Sequence, residues 1–263
     1  MAKMAISRQL HLTVTIVVLT LTVLATGCTA ETAETPDRKE QSATLHPEKY
    51  KDAGAPNATE LRTSPNISHE SESDTPSADI TIDDGPDPNW TIPILDTLKK
   101  NKVKATFCMV GVQVLAYPDL VKKVAAAGHR LCDHSVDHDV SMDKRSEIFQ
   151  REQILKAKQI IEDAAGDNSR VYYYRAPGGA FTPYSRNLAA SYGMRPLGWN
   201  VDTEDWKRPG VDTIVANVRK EIHSGPVILF HDGGGNRSQT VTALQHILPW
   251  LKSSGFKLSF PKS

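Results

Sequence analysis

Asp83 and Asp84 stand side by side before Gly85-Pro86, and His134-Ser135-Val136-Asp137-His138 follows some fifty residues later. Carboxylates and imidazoles are ordinary ligands of divalent cations. Two imidazoles and one carboxylate leave coordination positions open, a set that suits zinc, cobalt or another first-row ion far better than magnesium or calcium. The other aspartate then remains as a spare carboxylate beside the ion, which points to hydrolysis by a water that the ion activates. Successive side chains on a strand point to opposite sides, so both aspartates can face one ion only if the strand ends there. Gly85-Pro86 ends it. Taken alone each piece is weak: an Asp-Gly-Pro turn needs no second aspartate, and histidines four apart also occur on plain helices.

Other polar residues fall at comparable places. Arg175-Ala176-Pro177-Gly178-Gly179 reads as a simple loop, or, if Arg175 turns inward, as a permanent charge that favours the ionised form of a neighbouring carboxylate. His231 follows an apolar run and is the one histidine placed to donate a proton across such a site, with Asp205 available to keep it protonated. The remaining histidines lie in helix-like, strand-opening or N-terminal stretches and read as structural or solvated. Trp199 and Trp206 read as core or wall, and an aromatic wall beside the site would suit a sugar ring. Two rival chemistries fit less well. Non-haem iron oxygenases share the ligand set, but this chain alternates strand with helix, and no Gly-x-Ser-x-Gly supplies a serine nucleophile.

The elements that must position these residues begin near Ala78. Ala78 to Ile82, Val103 to Val110, His129 to Cys132, Val171 to Tyr174, Met194 to Asn200, Val227 to Phe230 and Phe256 to Phe260 read as strands. Between them, Ile148, Leu155 and Ile161 mark one helix and Ile214, Val218 and Ile222 another; Thr182-Pro183 opens a helix, and Gly193 and Gly255 stop helices. Seven strands with intervening helices predict an α/β fold, a distorted (β/α) barrel of parallel strands with right-handed crossovers. Gly-x-Gly-x-x-Gly is absent after the first strand, and Gly233-Gly234-Gly235 lacks the Lys-Ser/Thr of a phosphate loop. The polar residues above fall at C-terminal strand ends, the face on which such barrels carry their sites. Cys108 and Cys132 lie in apolar segments, as a disulfide or as two buried thiols.

The first third is of another kind. Lys3 and Arg8 precede an apolar run from Leu10 to Ala25, shorter than the roughly 20 residues of a spanning helix, so residues 1–27 read as a secretory signal. Leu24-Ala25-Thr26-Gly27-Cys28 resembles a bacterial lipobox, with Cys28 as the lipidated residue. The alternative is an ordinary signal peptide. Residues 28–78 read as a disordered acidic tether, with ten acidic residues against five basic ones between 29 and 78, which speaks against nucleic acid and anionic lipid as partners. Lipid on Cys28 would be the only membrane contact. Residues 79–263 are expected to form one catalytic domain that acts as a monomer.

In this order the motifs Thr81-Ile82-Asp83-Asp84-Gly85-Pro86, His134-Ser135-Val136-Asp137-His138, Arg175-Ala176-Pro177-Gly178-Gly179, Asp202-Thr203-Glu204-Asp205-Trp206 and Leu229-Phe230-His231 resemble the polysaccharide deacetylases of carbohydrate esterase family 4, the chitooligosaccharide-deacetylase homology domain. The resemblance runs from about Ile80 to Phe260. It implies Asp83 as general base, Asp84, His134 and His138 as ligands of a divalent metal, zinc foremost, and Arg175 as the residue that orients the base. It further implies His231 as general acid supported by Asp205, with Trp206 and Leu229 lining an acetyl pocket and a backbone N–H near Gly179 holding the oxyanion. Ile82 stands where the family usually has Phe, and Gly178 where it has a larger, often aromatic residue. The implied activity is removal of N-acetyl groups from N-acetylglucosamine units of an extracellular polysaccharide, peptidoglycan or chitin. An O-acetyl esterase acting on acetylated xylan would use the same residues, and a sugar-binding module without chemistry would keep the groove alone.

Overall fold

The computed structural model describes residues 62–263 apart from Asn168, with nothing stated for the side chain of Ser224. The signal, the lipobox with Cys28 and the tether to residue 61 lie outside the described residues.

Eight strands, all parallel where they pair, form the frame: β1 (Ser77–Asp83), β2 (Thr106–Met109), β3 (Arg130–Asp133), β4 (Val171–Tyr174), β5 (Arg195–Pro196), β6 (Val201–Asp202), β7 (Val227–His231) and β8 (Lys257–Leu258). Their order is β5-β4-β3-β2-β1-β7-β6, with β8 added beside the start of β1. The stretch Met194 to Asn200, expected as one strand, is two. β5 pairs with β4 and β6 with β7, at opposite edges of the sheet, while only residues 197–200 separate them in the chain. So short a link brings the two edges together, and the sheet curls into a barrel with an unpaired seam between β5 and β6.

β1 lies between β2 and β7, and all seven of its residues are buried. Strand alternation therefore serves two interiors. Ala78, Ile80 and Ile82 join the larger core between sheet and helices, while Asp79, Thr81 and Asp83 face the other way. In register with the inward residues lie Cys108, Cys132, Tyr173 and Val227, which with Leu197 form a second, smaller core inside the barrel. Cys108 and Cys132 are direct neighbours on β2 and β3 and are joined as a disulfide.

Helices α1 (Thr91–Lys100), α2 (Gly111–Ala116), α3 (Pro118–Ala126), α4 (Glu147–Ala165), α5 (Pro183–Ser191), α6 (Val211–Glu221) and α7 (Ser238–Ser253) connect the strands. Ile214 and Val218 on α6 and Ile222 just beyond it are buried as their spacing predicts. Thr182 caps α5 in a reciprocal capping box with Ser185. α4 departs from expectation: Ile148 is 72% exposed, and the inward face is Gln150, Gln153, Ile154, Ala157, Ile160 and Ile161. The two glutamines are buried because they serve backbone groups. Gln153 Oε1 accepts from Val136 N at 2.9 Å and Asp137 N at 3.1 Å, and its Nε2 donates to Asp137 Oδ2 at 2.9 Å.

Residues 62–76, assigned above to the tether, lie along the domain. Arg62 N donates to Ala190 O, Ser68 bridges in parallel to Leu197, and Ser71 pairs with Pro261. Glu72 meets Arg130 in a two-pronged ion pair at 2.7 and 2.9 Å. The expected boundary at 78 thus falls inside packed structure. Among the described residues no helix is long and apolar enough to cross a membrane.

Candidate active site

The sequence motifs converge at the C-terminal ends of the strands. β1 stops at Asp83, and Asp84 adopts φ +77°, a left-handed conformation that turns its side chain out of the strand alternation. Gly85 follows, and a Cβ there would run into the carboxylate of Asp232, which any side chain at this position would have to displace. Asp83 is the register partner of His231 on β7, which sets these two side chains beside one another on the inner face. Non-glycine residues with positive φ are Asp84, Lys102, Ser135, His138, Glu204 and Arg208 among the described residues. Only Lys102 lies away from these motifs and their flanks, and strained backbone of this kind collects where geometry is imposed by function.

His134 follows β3 directly, and its Nδ1 donates to Arg175 O at 2.7 Å, which leaves Nε2 with its lone pair free. His138 returns to the same point through a turn held by Ser135, whose hydroxyl accepts from His138 N at 3.1 Å. Asp84 Oδ1 lies 3.1 Å from His138 Nε2 and 3.6 Å from His134 Nε2. Ligands about 2.1 Å from a tetrahedral ion stand about 3.4 Å apart, so these three atoms have the spacing of a metal site. Asp84 Oδ1 is moreover buried without a well-formed hydrogen bond. The donor set, its convergence within 4.8 Å and the orphaned oxygen all fit a divalent first-row cation.

Asp83 is buried beside this cluster, with Oδ2 3.5 Å from His134 Nε2. Its Oδ1 accepts from Arg175 Nη1 at 2.7 Å. Arg175 is fully buried and turned inward, and its other donors go to Thr81 Oγ1 at 2.9 Å, Leu197 O at 3.2 Å and Gly198 O at 2.8 Å. On the neighbouring strand stands His231, whose Nδ1 lies 2.7 Å from Asp205 Oδ1. Asp205 Oδ2 also accepts from His231 N at 2.9 Å and from Thr240 Oγ1 at 2.7 Å. Burial alone would lower the His231 pKa, but the hydrogen bond and charge of Asp205, with Asp84 and Asp83 behind it, push it up to about 9. For Asp84, burial works to raise the pKa, and the close approach of His138 Nε2 together with the nearby imidazoles outweighs it and holds the carboxyl well below its usual range. His134 is shifted down, chiefly by burial.

Trp206 is 47% exposed on the short 3₁₀ turn after β6, while Leu229 is buried on the inner face of β7. The Gly179 N–H donates to Ala176 O at 2.9 Å within the 3₁₀ turn, whereas the neighbouring N–H of Gly178 has no backbone acceptor among the described residues. The space over Gly178 is not empty either: Val140 Cβ lies 3.4 Å from where a side chain would begin. Thr240, Arg237 and Gln153, which touch the site residues or their loop, went unmarked in the sequence because neither spacing nor a turn signal sets them apart.

A family model described as polysaccharide deacetylase matches residues 70–197. A curated peptidoglycan-N-acetylglucosamine deacetylase of Bacillus cereus is 39% identical over 180 residues, 68% of this chain and 83% of that protein. The chain belongs to the polysaccharide deacetylase family. A chitooligosaccharide deacetylase of Bradyrhizobium is 35% identical over 198 residues, 71% of this chain and 89% of its own. Among solved structures, a mutant of a Bacillus anthracis carbohydrate esterase family 4 pseudoenzyme with restored enzymatic activity has a TM-score of 0.68 at 32% identity, covering 74% of this chain and 69% of that one. One polysaccharide deacetylase fold therefore occurs with and without activity, so activity depends on individual side chains.

Proposed function

We propose that this polysaccharide deacetylase removes N-acetyl groups from N-acetylglucosamine units of an extracellular polymer. The observation that carries the reading is the set of three separate functions at one end of the strands: a carboxylate held by a buried arginine, a three-residue cation site, and an imidazolium backed by a carboxylate.

Asp84, His134 and His138 hold the cation, zinc foremost by the chemistry of the donors. When bound, it would polarise the acetamide carbonyl and lower the pKa of water. Asp83 has one oxygen fixed by Arg175 and the other directed at the cation site, and it takes the proton of the attacking water. Hydroxyl adds to the carbonyl carbon, and the oxyanion that forms accepts a hydrogen bond from the N–H of Gly178, next to Gly179. As the C–N bond breaks, His231 gives its proton to the departing amine, which would otherwise leave as a very poor amide anion. Acetate and a glucosamine unit result. Trp206 and Leu229 line the space that the acetyl group enters.

The chain is further proposed to be exported and anchored through lipid on Cys28, on the strength of the N-terminal sequence. Asp83→Asn should lower acetate release by more than about a thousandfold with metal content intact, whereas His134→Ala should lose bound metal as well. Acetate measured side by side on peptidoglycan, chitooligosaccharides and acetylxylan identifies the polymer. Full activity in either variant, or indifference of the wild type to chelation, defeats the proposal, and release from acetylxylan alone replaces it with an esterase.

A further inference from the structure

The acid half of the site rests on the first turn of α7. Thr240 Oγ1 donates to Asp205 Oδ2 at 2.7 Å. One turn earlier Arg237, at the N-cap of α7, sends Nη1 to the backbone carbonyl of Asp205 at 3.2 Å and Nε to that of Gly233 at 2.6 Å. Both side chains are buried, Arg237 at 3% exposure and Thr240 at 1%. Arg237 forms no ion pair with a carboxylate among the described residues; its hydrogen bonds go to the two carbonyls. A guanidinium buried without a paired acid is unfavourable compared with an apolar side chain of the same size, so packing does not account for it. Its geometry does. Asp205 lies on the turn after β6 and Gly233 two residues beyond His231, so Arg237 clamps together the two segments that carry the acid and its partner.

We propose that Arg237 and Thr240 are positioning residues for the general acid. They hold the carbonyl and the carboxylate of Asp205, so that its Oδ1 keeps His231 Nδ1 and the opposite ring nitrogen faces the leaving group. The proposal rests on the deacetylase reading and extends it to residues that touch no substrate. Leaving-group chemistry makes it separable from a general structural role. An amine must gain a proton as its C–N bond breaks, but p-nitrophenolate leaves an aryl acetate as a stable anion when the C–O bond breaks. Attack by water is common to both substrates, as are Asp83 and the cation. A residue acting only through His231 should therefore affect the amide and spare the ester.

The experiment measures acetate release from an N-acetylglucosamine oligomer and hydrolysis of p-nitrophenyl acetate by the metal-loaded protein. Arg237→Met and Thr240→Val should each lower kcat on the amide at least about tenfold, with KM within about twofold and ester hydrolysis within about threefold of wild type. Arg237→Lys, which keeps the charge and can reach one carbonyl, should recover part of the loss. Thermal unfolding and metal content are recorded for each; if Arg237→Met does not fold, Thr240→Val, which changes a single hydroxyl to a methyl, decides. Equal losses on amide and ester, with or without loss of metal, overturn the proposal. Wild type that releases no acetate from the amide overturns the deacetylase reading itself, whereas an active wild type with unselective variants overturns only the role given to α7.

Discussion

His231 and Asp205 show what a residue can do only in company. In water an imidazole is about half charged near pH 6.5, and burial alone would make this one neutral at working pH. The contact to Asp205 reverses that, pushing the pKa from 6.5 up to about 9. A folded value above the unfolded one means that the charged form stabilises the fold fully below about pH 6.5 and that this contribution is lost as pH rises through about 9. In chelator-treated protein, wild type should exceed His231→Gln in stability by up to about 3 kcal/mol more at pH 6 than at pH 10. Denaturant midpoints across that range measure it, and a gap that stays constant or widens with pH removes the support for a charged acid.

At the scale of elements, the sequence was readable where one strand carries one motif. β1 alternates apolar and polar residues, and Asp-Gly-Pro marks its end, so both the strand and the place of Asp83 and Asp84 follow from local rules. The stretch from Met194 to Asn200 misled because continuous strand-like composition conceals a change of partner, and partner choice is set by how the sheet closes. α4 misled for a related reason. A glutamine scores as polar, yet Gln153 is buried because the backbone of the histidine loop needs an acceptor. That contact has a measurable effect: Gln153→Ala should weaken zinc binding by about tenfold through the loop that carries His138. Competition against a chromophoric chelator reads the change, and unchanged affinity would mean that the loop holds itself.

For the whole molecule, parallel strands bring to one face residues scattered over some 150 positions, from Asp83 to His231, and motif order at strand ends made that face legible before any coordinate. Arg237 and Thr240 were not legible, since their partners are a carbonyl and a carboxylate that only folding brings near. The N-terminal boundary was misjudged because residues 62–76 are too polar to resemble a core and are held by backbone pairing instead. The proposed export and anchoring are tested on the entire chain: Cys28→Ser should move the protein from the membrane fraction to the medium, and retention in the membrane fraction would defeat lipid anchoring at that cysteine.

The paired strap at Ser68 has a mechanical consequence. Ser68 N donates to Pro196 O at 2.8 Å and Gly198 N to Ser68 O at 2.9 Å, and Leu197 O and Gly198 O in turn hold Arg175 against Asp83. Tension on the chain ahead of Arg62 would pass the contacts to Ala190 and then load these two bonds. An anchored enzyme pulled by its polymer would yield first near the seam of its barrel, where the base is aligned, and last at the central strands.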